Sequence, residues 1–263
     1  MAVEDEAPNE TDTPPVRQFL KVQKQGIGRA AVAHRIKEDD ILVAIDGELF
    51  LGDSETLKAA FEDYDPTMPD DVAWLVTFWR DGVFFNQCFH TPLRAKFDFV
   101  TPEEALLVSE GFAKLEFEPI EDYQNYEIFR DLKKNAAMHS MKSDPLASYL
   151  PLLWMLNNRL YYPMLAISIV YGVTIVTHVA LFILAYILVG LYVKKAQLNL
   201  LRSYHLFEDK FFWFVIGATS ETQAREACRK LDPEILFPFD KADVPQRLNR
   251  IQRKKARESQ ADT

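Results

Sequence analysis

LYYPMLAISIVYGVTIVTHVALFILAYILVGLYV, residues 160–193, runs for 34 positions without Asp, Glu, Lys or Arg. A charge-free run of that length belongs in a bilayer rather than in the core of a soluble domain. As one helix it would extend about 51 Å, against a hydrocarbon core of about 30 Å. Two arrangements accommodate it: a steeply tilted single span, or a transmembrane hairpin turning near Thr174–Thr177–His178. Flanking charge favours the hairpin, because Arg159 precedes the run and Lys194, Lys195 and Arg202 follow it, so both ends read as cytoplasmic. Trp154, Tyr161, Tyr162, Tyr186 and Tyr192 stand at the borders, where amphipathic rings prefer the headgroup level. His178 is the one member of the Asp, Glu, Lys, Arg and His set inside the run. A haem-ligand or proton-relay role would need a second ligand or a carboxylate, which the run lacks, whereas a histidine at the wet turn of a hairpin needs no further function.

Working outward, LASYLPLLWML (Leu146–Leu156) is apolar but too short to cross, and residues 146–159 are expected to lie as a helix in the interface. Charge is unevenly spread. Residues 1–148 carry 15 basic against 29 acidic side chains, and residues 194–263 carry 14 basic against 10 acidic ones. The opening MAVEDEAPNETDTPP (1–15) is acidic, Pro-containing and aperiodic, and is expected to be a disordered lead. It has neither a basic segment nor an apolar one of the secretory kind, which again places the head on the cytoplasmic side.

Residues 16–98 have a different texture. A polar strand (Arg17–Gln23) leads into GIGRAAVAHRIKEDDILVAIDGELF. A helix over 54–63 with Ser54 as its cap follows, and then two alternating strands, 73–80 and 83–90, joined at Arg80-Asp81-Gly82. The segments RAAVAHRIKEDDILVAIDGELF (29–50) and VTFWRDGVFF (76–85) resemble a PDZ domain of the compact bacterial type, with Asp39 where that family has glycine and Asp46 where it has asparagine. The resemblance implies a peptide site made by Gly26, Ile27 and Gly28 as a carboxylate-binding loop, with Leu57 and Phe61 lining a groove for an added strand. The alternative is that the glycines turn the chain and Leu57 and Phe61 fill the core. The same glycines fit G-x-G-x-x-A, but the preceding strand is too polar and the following helix too short for a dinucleotide fold.

Residues 99–145 read as a helical linker: Thr101-Pro102-Glu103-Glu104 is a capping box opening a helix to about Lys114, and a second helical stretch is expected from Glu121 to about Met138. Beyond the membrane, residues 194–240 read as a helix, a buried strand FFWFVIGA (Phe211–Ala218) and a helix to Leu231 capped by Ser220. This strand–helix unit must dock on the N-terminal domain, another copy or a partner to bury its apolar face. The basic tail, 241–263, places Arg247, Arg250, Arg253, Lys254, Lys255 and Arg257 within thirteen residues, a candidate surface for anionic lipid headgroups. No aromatic residue is interleaved among them, so nucleic acid is not the expected partner.

The fold class expected is therefore α+β. It combines a small β-rich PDZ-like domain, linker helices, a transmembrane helical hairpin, a C-terminal strand–helix unit and a basic tail. The chain holds no HExxH, GxSxG or GxxxxGK[ST] motif, its five histidines are widely spaced, and Cys88 and Cys228 form no CxxC pair. No catalytic residue, metal or cofactor is expected. The expected function is that of a membrane-anchored adaptor or assembly factor in the bacterial inner membrane, recruiting or stabilising a membrane protein complex or acting as a homo-oligomer. An integral accessory subunit is the alternative.

Overall fold

The computed structural model describes residues 18–24, 27–61 and 73–238; the lead, Gly26 and the basic tail lie outside these residues. The fold is α+β. In chain order its elements are β1 (Leu20–Val22), α1 (Arg29–Ala33), β2 (Ile41–Ile45), β3 (Glu48–Leu49), α2 (Ser54–Ala60), β4 (Trp74–Arg80), β5 (Val83–Phe89), β6 (Phe97–Phe99) and α3 (Pro102–Phe112), then β7 (Gln124–Arg130), β8 (Ala136–Ser140), α4 (Leu146–Tyr149), α5 (Pro151–Asn157), α6 (Tyr161–Thr177), α7 (Val179–Phe207), β9 (Phe211–Ala218) and α8 (Glu221–Leu231). Two compact units meet in sequence at Glu121–Asp122.

In the first unit the antiparallel order is β6-β1-β2-β4-β5, with β3 on β2. Two turns set the register. Asp81 and Gly82, at φ 50° and 86°, join β4 to β5, and Asp46 and Gly47, at φ 52° and 78°, join β2 to β3, the left-handed pairs that match strand twist. Asp39 is also left-handed, at φ 71°. It delivers the chain to Asp40, which is fully buried and takes both Nε and an Nη of Arg80 at 2.6 Å and the Lys37 amide at 2.6 Å. The carboxylate thus holds the end of β4 against the entry to β2, forty residues away.

The core gathers Phe19, Ile41 and Val43 with Val100 and Val108, and Phe84 and Phe112 pack on it. Helix α3 starts where its capping box predicts, with Thr101 accepting from the Glu104 amide at 3.4 Å, and Glu104 also pairs with Lys21 at 3.2 Å. The unit therefore extends beyond residue 98 to include α3. The cap of α2 is Asp53 rather than Ser54: its carboxylate accepts from the Thr56 amide at 2.8 Å.

The stretch expected as a second linker helix is instead the strand pair β7–β8. Leu132, Lys133, Ala136 and Ala137 are good helix formers, but the Asp131 carboxylate takes the Asn135 amide at 2.8 Å and Lys134 turns left-handed at φ 66°, closing a hairpin. Pairing along β7 on both edges then overrides local propensity. The sheet of this second unit is antiparallel, in the order β9-β7-β8, with Ile128 opposite Phe214 and Met138. β9 is thereby docked on β7, while Ala224 and Cys228 of α8 are fully buried.

The charge-free run is split by one extended residue, His178 (φ −166°, ψ 133°), whose Nδ1 caps α7 by accepting from the Ala180 amide at 3.1 Å. Tyr171 meets Phe182 and Tyr186 near this break, and Tyr162 meets Phe207 far from it, so α6 and α7 run antiparallel. α7, with 29 residues, is long and apolar enough to cross a membrane; α6 is apolar and has 17 residues, about 25 Å. Little of α7's most apolar stretch is buried, and Val173, Val176, Val179 and Leu191 point outward. Before α6, Trp154 and Met155 of α5 are buried in a cluster with Leu160, Val193 and Leu201, so α5 packs as a core element on α7.

Ending the chain at residue 98 removes Val100 and, with α3, Val108 from the first core, each worth about 1.5–3 kcal/mol. A fragment of residues 16–121 should melt cooperatively in urea, followed through Trp74 and Trp79, and one ending at residue 98 should be less stable by about 4 kcal/mol. Equal midpoints would show that α3 does not belong to this core.

Candidate functional site

The polar residues of the second unit converge where α7 leaves the charge-free run. β7 and β8 pair Glu127 directly with His139, which places both on one face of the sheet. Arg202 and His205, three residues apart on α7 beyond Lys194 and Lys195, come down on that face. Arg202 Nε donates to both Glu127 oxygens at 3.1 and 2.9 Å, and an Nη donates to Oε1 as well. His139 Nε2 lies 3.2 Å from Oε2; the ionised carboxylate can only accept, so this nitrogen carries the proton. The His139 and His205 rings stack at 5.5 Å, and Phe129 covers both at 5.6 and 5.1 Å.

Burial at 2% exposure would raise the carboxyl pKa of Glu127, yet the bonds from His139 and Arg202 and the Arg202 charge outweigh it and hold the group at about 2. Such a carboxylate carries no proton near neutral pH and has both oxygens engaged, so its chemistry is to hold, not to transfer protons. Burial, followed by the nearby His139 and Lys210, lowers His205 to about 4, with Glu208 pulling the other way. Burial also pushes the Cys88 thiol up to about 12 and raises that of Cys228, which leaves both protonated and unreactive.

Further along α7, Gln197 accepts from the Asp144 amide at 3.0 Å and donates to Ser143 Oγ at 2.6 Å. Gly190 lies so close to the Ser148 carbonyl that a Cβ would stand 2.6 Å from its oxygen. Tyr186 donates its hydroxyl to the Tyr149 carbonyl. One face of α7 is thus fastened to the sheet and to the 143–149 segment at four levels, while the outward face of its apolar half stays bare.

The residues predicted for peptide binding occupy other settings. The Gly28 amide donates to the Arg94 carbonyl at 2.7 Å, and a Cβ at Gly28 would strike that oxygen. Ile27 is partly buried. Leu57 and Phe61 are 2% and 3% exposed, and Phe61 packs edge-on against Trp74 at 4.8 Å. Gly26 and the six basic tail residues from Arg247 to Arg257 lie outside the described residues. Among the described residues no group of three His, Cys, Asp or Glu side chains is arranged to hold a metal.

Compared with known proteins, the chain matches no family model, no curated sequence and no solved structure. Function must therefore be argued from the junction itself. Sequence reading missed that junction because its members lie up to 78 positions apart; the one usable signal was Glu127, an acid within the otherwise strand-forming NYEIFR.

Arg202→Ala strands Glu127 in a buried site and should lower the stability of the purified protein by about 3 kcal/mol, within the lower part of the range for broken buried pairs because Arg202 keeps some solvent contact. Acid should act in two windows. With its folded pKa below the unfolded 6.5, His205 contributes stability that is complete above pH 6.5 and lost as pH falls toward 4. Glu127, with its folded value below 4.5, contributes stability that is lost between pH 4.5 and 2. His205→Phe should remove the first loss and leave the second, as read from denaturation midpoints at each pH. An unchanged profile between pH 6.5 and 4.5 would clear His205 of the first.

Proposed function

We infer that this protein is a membrane-anchored adaptor or assembly factor: α6 and α7 enter the bacterial inner membrane as a helical hairpin, and both folded units stay on the cytoplasmic side. The observation that carries the reading is the two-sided character of α7. Its first half turns bare Leu, Ile and Val side chains outward, a surface that water disfavours and lipid accepts. Its second half is locked to a folded domain by Arg202 on Glu127, His205 on His139 and Gln197 on the Asp144 amide. The partner is a membrane protein complex that the first unit recruits or steadies. A PDZ-like peptide groove in that unit would require the Gly28 amide to leave Arg94. The reading includes no catalytic step, in keeping with the engaged carboxylate and the protonated, buried thiols.

One observation favours the accessory-subunit alternative. Ser168 and Gly172 lie one turn apart on α6, and a Cβ at Gly172 would meet nothing within 4 Å, which leaves room for a further transmembrane helix to approach. A subunit would stay stoichiometric with one complex through mild detergent purification, whereas an adaptor would be recovered substoichiometrically.

Topology is the first test. In a chain with Cys88 and Cys228 replaced by alanine, Thr177→Cys should react with a membrane-impermeant thiol reagent applied to cells with a permeabilised outer membrane. Glu110→Cys and Glu226→Cys, both on exposed positions, should react only after the inner membrane is broken. Labelling of Glu110→Cys or Glu226→Cys from outside would overturn the hairpin.

A further inference from the structure

Beneath the membrane exit of α7 the second unit holds a cavity of about 500 Å³, within the range of small-ligand sites. Its walls carry three cations against two carboxylates. Lys142, Arg159 and Arg225 contribute cations, and the two carboxylates present, Asp144 and Glu221, are engaged by the Leu146 amide and by Arg225. Lys142 has no ion-pair partner among the described residues. Arg225 gives one Nη to Glu221, while its Nε is buried without an acceptor, so the guanidinium has donor capacity to spare. Arg159 sits in the left-handed region at φ 60°, directly after α5, at a helix end where glycine is the least strained residue. Arg159 thus brings a cation to the cavity wall from a position where glycine would relieve the backbone.

Depth identifies the ligand. A hydrocarbon core of about 30 Å takes about 20 helical residues. Counted from Val179, these end near Leu198, which lines the cavity together with Leu201 and Trp154. The basic groups are therefore at headgroup level and the apolar ones at the glycerol and acyl boundary. We propose that this cavity is a binding site for the phosphate of an anionic lipid headgroup, clamped by Arg159, Arg225 and Lys142. The proposal rests on the membrane-anchor reading and is separate from any attraction of the basic tail. Guanidinium forks suit phosphate oxygens, and the partly apolar walls favour a lipid over free phosphate.

The full chain, purified in a neutral detergent, is titrated with phosphatidylglycerol, phosphatidylcholine or inorganic phosphate, with bound lipid counted by native mass spectrometry. Phosphatidylglycerol should bind at least tenfold more tightly than either of the others. Arg159→Gly, a substitution that suits the backbone and should leave the melting temperature equal or higher, should weaken it at least tenfold, as should Arg225→Gln. Replacing Arg247, Arg250, Arg253, Lys254, Lys255 and Arg257 with glutamine should leave the site intact. Equal binding of phosphatidylcholine, equal binding of inorganic phosphate, indifference to Arg159→Gly and Arg225→Gln, or loss of the site with the tail charges would each overturn the proposal. Alkaline carbonate extraction separates it from the anchor reading: release of the wild-type chain from membranes refutes the anchor, while retention without phosphatidylglycerol binding refutes the cavity alone.

Discussion

A carboxylate cannot be buried without partners, because taking an ion from water costs several kcal/mol even after relaxation. Glu127 is buried, and the architecture of the second unit follows from satisfying it. His139 must lie opposite on β8, which fixes the β7–β8 register. Arg202 must reach over from α7, which fixes the rotation of that helix about its axis and the face it turns to the sheet. Because α7 is continuous from Val179 to Phe207, a constraint at its foot is carried along its whole length. The outward direction of the apolar side chains near its start is therefore decided largely by an ion pair some twenty residues away.

The first unit uses the same device in a smaller form. Asp40 is as deeply buried as Glu127 and is answered by a guanidinium distant in sequence, Arg80, backed by the Phe85 ring at 5.0 Å. In each unit the arginine comes from a different element than the acid, so the pair joins segments that local propensity alone would not bring together. Such pairs add little net stability compared with a well-packed apolar substitute, but they penalise every arrangement in which the partner is missing. They select one register among several of similar hydrophobic content.

These pairs also explain which parts of the structure were legible from the chain alone. The apolar run, the Asp-Gly turns and the capping residues Thr101 and Ser220 are local signals, each carried by a few adjacent residues, and they mark real elements. The β7–β8 hairpin was misread because its decisive features are a side-chain bond from Asp131 and pairing with β9, which lies about ninety residues downstream. Glu127, His139, Arg202 and His205 each look like ordinary surface residues, and only the fold makes them neighbours. Arg202 did stand out, as a flanking charge of the apolar run, though nothing local revealed that its charge is spent on a buried acid.

The close seat of Gly190 on the Ser148 carbonyl has a mechanical consequence. With no side chain at that point, backbone touches backbone, and a slide of α7 along its axis would bring the next residues of that face, Tyr186 or Val193, toward a space that admits no Cβ. The helix is keyed in height to the folded domain beside it. A membrane protein usually meets a thinner or thicker bilayer by tilting or shifting its helices. On the membrane-anchor reading proposed above, α7 cannot shift in height against its own domain, so a change of thickness is met by tilting the whole chain or by deforming the lipid. On that reading the chain favours bilayer regions of matching thickness, and a single glycine contact contributes to where it settles.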